Sequence, residues 1–312
     1  MEDIQVNVSQ EGVTIPRARK KISDKWIPYL VMAPGLLITI GVLYPFVLAI
    51  YDSLTDLSFN SPTVAFVGLQ NYVDMFRSPS FFHSIYVTVA YAVITTALEL
   101  IVGVAMALIL HRMTWTAHLF QSLFILPLMV STAIATLLWR LMTNPTYGIY
   151  TRFLDIFGIH HFPWANSPRT ALLTVVLVDA WVYIPFVILI VLAGLKSLPP
   201  APFEAARIDG GSFWFTFRRL TLPLLRPILI IVTLFRLMDG LQQFTIIYAM
   251  TAGGPGDALM NIPNLAYEHG FLYLTFGPSL AYLVLLWVLV FIVSRLLVAY
   301  WNRIRMQEAE GE

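Results

Sequence analysis

The chain has 312 residues, of which 58% are hydrophobic and 12% charged, with a net charge of +1 and no cysteine. The charged share is about half that of an average soluble domain, and with a mean hydropathy of +0.75 it excludes a soluble globular protein. The near-neutral balance offers nothing to nucleic acid. Without cysteine there are no disulfides, cysteine nucleophiles or thiolate metal sites.

Residues 1–25 are polar, lack apolar periodicity and read as a tail ending in Arg17, Arg19, Lys20, Lys21 and Lys25. The apolar run behind them is too long for the core of a signal peptide, and no small-x-small cleavage site follows it. Six apolar runs then succeed one another, near 28–51, 84–110, 119–142, 171–195, 223–250 and 280–300. Each is long enough to cross about 30 Å of hydrocarbon, which takes about 20 helical residues. The runs are continuous rather than alternating, so they predict helices and not barrel strands. The expected fold is an all-α membrane protein with six transmembrane helices, its membrane domain covering 26–302 and a C-terminal tail covering 303–312.

Charge placement orients these spans. With the N-terminus inside, the basic tail shares one side with Arg112, Lys196, Arg207, Arg218, Arg219, Arg226, Arg295, Arg303 and Arg305. Only Arg77, Arg140, Arg152 and Arg169 fall on the other. The positive-inside rule then places both termini, and the loop at 199–222, in the cytoplasm.

That loop carries the most specific pattern in the chain, FEAARIDGGSFWFTFRRLTLP at 203–223. Pro199, Pro200 and Pro202 stop the preceding helix, since proline lacks a donor and clashes with the turn before it. Glu204 falls in the first turn of a new helix, where a carboxylate complements the dipole. Asp209-Gly210-Gly211 ends it, glycine accepting the left-handed cap conformation. An aromatic turn at 213–220 leads to Pro223 at the next helix start. The product is a compact helix-turn-helix knob suited to docking in a groove of another protein.

The spacing of Glu204, Ala205, Ala206, Asp209, Gly210, Phe217, Leu222 and Pro223 resembles the coupling-loop signature of permease subunits of binding-protein-dependent ABC importers. Gly211 departs from it, alanine being usual there. The stretches GLQNYVDMF at 68–76 and TAGGPG at 251–256 are similar to outer-loop segments of sugar-type members, so the resemblance covers about 26–300. It implies a type I importer permease fold in a bacterial or archaeal cytoplasmic membrane. It also implies a non-catalytic subunit coupled through Glu204, Ala205, Ala206, Asp209, Gly210 and Phe217 to ATPase partners. The chain has no GxxxxGK[ST] loop, so the resemblance assigns ATP to two partner subunits and leaves no cofactor here. The other implied partners are a second permease subunit, an extracytoplasmic solute-binding protein and a sugar or polyol cargo of the maltose and glycerol-phosphate group.

Ionisable groups at membrane depth are costly and are functional candidates. The fifth run holds Arg236, Asp239, Gln242 and Gln243, with Arg236 about 15 Å along the helix from Arg226. Arg236, Gly240, Gln243 and Ile247 share one helical face, and Gln243 is expected to point from it into a translocation path. The fourth run brings Asp179, Trp181, Tyr183, Pro185 and Phe186 to similar depth, so Asp179, Asp239 or both are expected to pair with Arg236. An Asp179–Arg236 pair would fix helix register, while aromatic faces beside polar groups suit a sugar. The resemblance to maltose-type permeases implicates Trp181, Tyr183, Phe186, Arg236, Gly240 and Gln243 in substrate binding, with Asp239 beside them. Glu99 reads as a buried, partnered carboxylate. His160-His161 lacks a third metal ligand. An ion-coupled secondary transporter would show paired half-helices and an inverted repeat, and neither is visible in the sequence. A membrane-embedded enzyme would need a catalytic cluster at usable spacing, and none is found.

Overall fold

The structure is a computed structural model and describes residues 27–113 and 117–310; the expected tail at 1–25 lies outside them. Regular structure among the described residues is helical, apart from isolated bridges of Thr55 with Phe66 and Ser58 with Thr275. The chain divides into units at 1–48 and 49–312, the boundary falling inside α1 (Ile27–Asp52). The first unit contributes an apolar helical stretch with Pro34 and Pro45 within it.

The second unit is built on α3 (Pro79–Arg112). Against it pack α7 (Pro168–Ser197) and α10 (Leu222–Leu241), and α10 packs in turn on α13 (Phe276–Glu310). Three apolar clusters follow one another along α3. Phe81 and Ala92 meet Leu241, Tyr282 and Leu286; Tyr91 meets Val175, Ile246 and Met250; Ala107 and Leu110 meet Val187, Val191 and Leu225. Among the described residues five helices are long and apolar enough to cross a membrane, or six if one bent pair counts as a span. α13 runs through the expected tail at 303–312 as far as Glu310. Its last turns hold Arg303, Arg305, Met306, Gln307 and Glu308, good helix formers without proline or glycine.

Lipid tails are as apolar as leucine, so helices in a membrane associate through close approach of small residues and through polar bonds. Gly240 on α10 is such a point: a Cβ there would lie 3.0 Å from Ala92 Cα and 3.2 Å from Ala92 Cβ on α3. Gly240→Val is therefore expected to push α10 off α3, at the roughly 1–3 kcal/mol cost of an overpacked core. The thermal midpoint of the assembled complex should fall well below wild type, and an unchanged midpoint would place the helices farther apart than described.

Two expected spans are broken. The third run forms α4 (Ala117–Ile125), a 3-10 turn at Leu126–Met129 and α5 (Thr132–Met142), with a 98° bend between its halves. Pro127 disfavours the α conformation of the residue before it, and α4 ends at Ile125. The fifth run stops at Leu241 and resumes as α11 (Thr245–Thr251), which packs on α5. Inside a membrane the freed backbone groups need partners. Asn261 Nδ2 donates to the Gln243 carbonyl at 2.5 Å, and Gln243 Oε1 accepts from Ile246 N–H at 3.2 Å.

At the end where α7 gives way to α10 stands the knob. α8 (Ala201–Ile208) carries Glu204 in its first turn. It closes with Gly211 N–H donating to the Ala206 carbonyl at 2.8 Å and Gly210 N–H to that of Arg207 at 3.3 Å. These paired bonds define a Schellman cap. Gly210 sits at φ +72°, and a Cβ on Gly211 would lie 2.9 Å from the Ala206 carbonyl oxygen, so alanine at 211 would crowd this turn. α9 (Phe213–Thr216) and a π turn (Phe217–Thr221) lead without interruption into α10. At the opposite end, α2 (Gln70–Arg77) packs on α13, and Gly277 N–H and Leu57 carbonyl join at 2.9 Å. α6 (Ile149–Ile156) is tied by Thr151 to Trp164 Nε1 at 2.9 Å. α12 (Ile262–Tyr267) packs against α3 and α13.

Candidate functional site

The centre of the second unit is an arginine held by three carboxylates. Arg236 lies in α10, and an unpaired guanidinium at membrane depth costs several kcal/mol by order of magnitude. Its Nε donates to Glu99 Oε2 at 2.5 Å and its Nη2 to Glu99 Oε1 at 2.8 Å, a bidentate pair with α3. Nη2 also reaches Asp179 Oδ2 on α7 at 3.1 Å, and Nη1 reaches Asp239 Oδ2 at 2.6 Å. The Tyr183 ring covers the guanidinium, with 3.9 Å from Cζ to the ring centroid. The expected partners Asp179 and Asp239 are thus both in contact, and Glu99 is a third that the sequence left without a named partner. Arg236, Glu99 and Asp179 side chains are 3%, 0% and 0% exposed, whereas Asp239 is 49% exposed. Asp179 Oδ1 and the Tyr91 hydroxyl are buried among these groups without a hydrogen-bond partner.

The face that carries Arg236, Gly240 and Gln243 is turned inward, which differs from the expectation of a polar face on an open path. Gly240 rests on Ala92, and Gln243 is 7% exposed with its oxygen occupied in capping α11. The exposed stripe of α10 is Ile231, Phe235 and Asp239, one residue out of step at i, i+4 and i+8. Tyr183 and Phe186 of α7 flank it, with the Phe186 and Phe235 rings 6.5 Å apart edge to face. Thr132 at the start of α5 meets the Tyr183 hydroxyl at 3.5 Å. Trp181 is not part of this group. Two residues from Tyr183 it points about 200° away around the helix, towards Trp139, whose ring lies 6.1 Å off. Phe235 was the missed residue, and the signal was its place one turn before the exposed Asp239.

The knob presents a second surface. Glu204, Ala205, Asp209 and Gly210 are exposed, Ala206 is buried, and Phe217 is half-buried against Phe213 and Trp214. Ile208 is 86% exposed and Trp214 63%, with Phe213 and Phe215 beside them. Arg112 at the end of α3 lies over the Phe213 ring at 4.1 Å. Large apolar side chains around an exposed carboxylate have the make-up of a docking patch.

Comparison with known proteins places this architecture. Residues 99–306 match the family described as binding-protein-dependent transport system inner membrane component. The chain is 35% identical over 254 residues to the trehalose/maltose transport system permease protein MalF of Thermococcus litoralis, covering 81% of this chain and 86% of that one. It is 31% identical over 277 residues to the sn-glycerol-3-phosphate transport system permease protein UgpA of Pectobacterium atrosepticum, covering 88% and 93%. Its fold is similar, with a TM-score of 0.78 and 20% identity over 90% of this chain and 96% of the other, to one in a bacterial ABC transporter involved in the import of the acidic polysaccharide alginate. The chain therefore belongs to the binding-protein-dependent transport system inner membrane component family and is a non-catalytic, multi-pass permease subunit of an ABC importer.

Proposed function

We propose that this subunit passes a sugar or related polyol across the cytoplasmic membrane, along the exposed stripe of α10 and its flank on α7. The observation that carries the reading is the grouping of Phe235, Phe186 and Tyr183 with the half-exposed Asp239 at membrane depth. Aromatic faces pack on the apolar C–H faces of a sugar ring, and a carboxylate accepts from its hydroxyls. The name of the trehalose/maltose relative supports the cargo class. Arg236, Gly240 and Gln243 form the frame behind this surface, and Trp181 lies to one side of it. The knob faces the cytoplasm with both termini, as the basic residues around it support. Through Glu204, Ala205, Ala206, Asp209, Gly210 and Phe217 it docks on ATPase subunits. Two ATPases, a second permease subunit and an extracytoplasmic binding protein complete the importer, and ATP-driven closure switches the site between outward and inward access.

The test is uptake into proteoliposomes. The complete assembly should accumulate labelled sugar only with ATP inside the compartment that faces the knob, and the single chain should carry none. Uptake by the single chain without ATP, abolished by a protonophore, would replace this mechanism by ion-coupled transport.

A further inference from the structure

A buried arginine on a transport route is the group an anionic cargo would seek, because guanidinium pairs strongly with phosphate and carboxylate. In this chain Arg236 is not available for that. Its Nε, Nη1 and Nη2 all donate to carboxylates, at 2.5 to 3.1 Å, and Tyr183 covers its face at 3.9 Å. An anion could reach Nη1 only by displacing Asp239, and the other two nitrogens only by displacing Glu99 or Asp179, whose side chains are 0% exposed and would be stranded without a counter-charge. What the cluster shows to open space is Asp239 alone.

We propose that the clasped Arg236 and the exposed Asp239 form a charge filter, which admits neutral, hydroxyl-rich cargo and rejects phosphate, sulfonate or carboxylate derivatives of the same size. The inference rests on the carbohydrate reading above and narrows it. Asp239 accepts hydrogen bonds from hydroxyls on the cargo, since an ionised carboxylate only accepts. The same carboxylate repels a second negative charge, and at membrane depth low-dielectric surroundings strengthen that repulsion over its value in water. Phe235 and Phe186 contribute no charge, so the sign of the site is set by Asp239. The filter requires that Arg236 stay clasped. Glu99 and Asp179 ensure this from two other helices, independently of Asp239.

The experiment measures equilibrium binding to the purified assembly of permease and ATPase subunits, without the extracytoplasmic binding protein, with radiolabelled cargo in matched pairs. These are trehalose with trehalose 6-phosphate, maltose with maltose 6-phosphate, and glycerol with sn-glycerol 3-phosphate. Within any pair that binds, the neutral member should bind at least about tenfold more tightly. Asp239→Asn keeps the side-chain size and leaves Arg236 on Glu99 and Asp179, and it should cut that preference to about threefold or less. Equal or tighter binding of the phosphorylated member to wild type overturns the filter while sparing the carbohydrate reading. So does an undiminished preference in an Asp239→Asn complex that assembles normally. Should Asp239→Asn fail to assemble, the wild-type pairs decide alone. Binding of no member of any pair removes the carbohydrate reading and the filter with it.

Discussion

Arg236→Ala is expected to leave little assembled complex. The substitution strands Glu99 and Asp179, both fully buried, without the guanidinium that holds them at 2.5 to 3.1 Å. Breaking a buried pair by removing one partner costs about 3–5 kcal/mol, a large part of the 5–15 kcal/mol by which a typical fold is stable. Arg236→Lys should rescue poorly, since one ammonium lacks the planar fork that bonds Glu99 in bidentate fashion. Neutralising the stranded groups should rescue well: Arg236→Met combined with Glu99→Gln and Asp179→Asn removes both the charge and its partners. Size-exclusion yield and thermal midpoint of each variant give the answer. Wild-type yield from Arg236→Ala alone would mean that the cluster does not hold the three helices together.

Glu204→Lys is expected to abolish cargo-stimulated ATP hydrolysis while the permease assembly still forms. Glu204 is exposed at the start of α8, one turn from the exposed Ile208, and takes no part in the apolar packing of α3, α7 and α10. A hydrogen bond to a charged group contributes about 1.5–3 kcal/mol, and reversal replaces attraction by repulsion, so stimulated hydrolysis should fall by about tenfold or more. Gly210→Val should act on the same readout by a different route. A β-branched residue at φ +72° strains the cap that sets the angle between α8 and α9. If both variants hydrolyse ATP at the wild-type rate, energy enters the permease elsewhere.

Length and composition alone disclosed the long helices, because a continuous apolar run has only one backbone solution in hydrocarbon. They did not disclose the breaks in the third and fifth runs. An apolar window is indifferent to a bend, and the local signals were single residues, Pro127 in one and the Gly240 to Gln243 stretch in the other. Broken helices in the interior are also what a secondary transporter would show, so on their own they do not separate the two classes. The knob was legible because its signals are local: three prolines, a carboxylate in the first turn and a glycine cap. The clasp was legible only in part. Asp239 is one turn from Arg236, but Glu99 is 137 residues away, and no spacing rule links residues on different helices. Periodicity likewise grouped Arg236, Gly240 and Gln243 on one face without saying which way the face turns. Gly240 held that information, since a small residue on a membrane helix marks a neighbour at close range, here Ala92.

The clasp also dictates how the permease must deform. Glu99, Asp179 and Arg236 rivet α3, α7 and α10 at mid-height, and the knob is carried on the ends of two of those three helices. Any displacement delivered to the knob therefore enters both arms of one block, which has to swing as a unit because its arms cannot slide past each other. The ladder of backbone bonds is interrupted at 130–131 ahead of α5 and at 242–244 ahead of α11, and such a block would bend there. Those two half-helices lean on each other at the far end from the knob. A small rotation of the block would then part or close α5 and α11, which pack on each other.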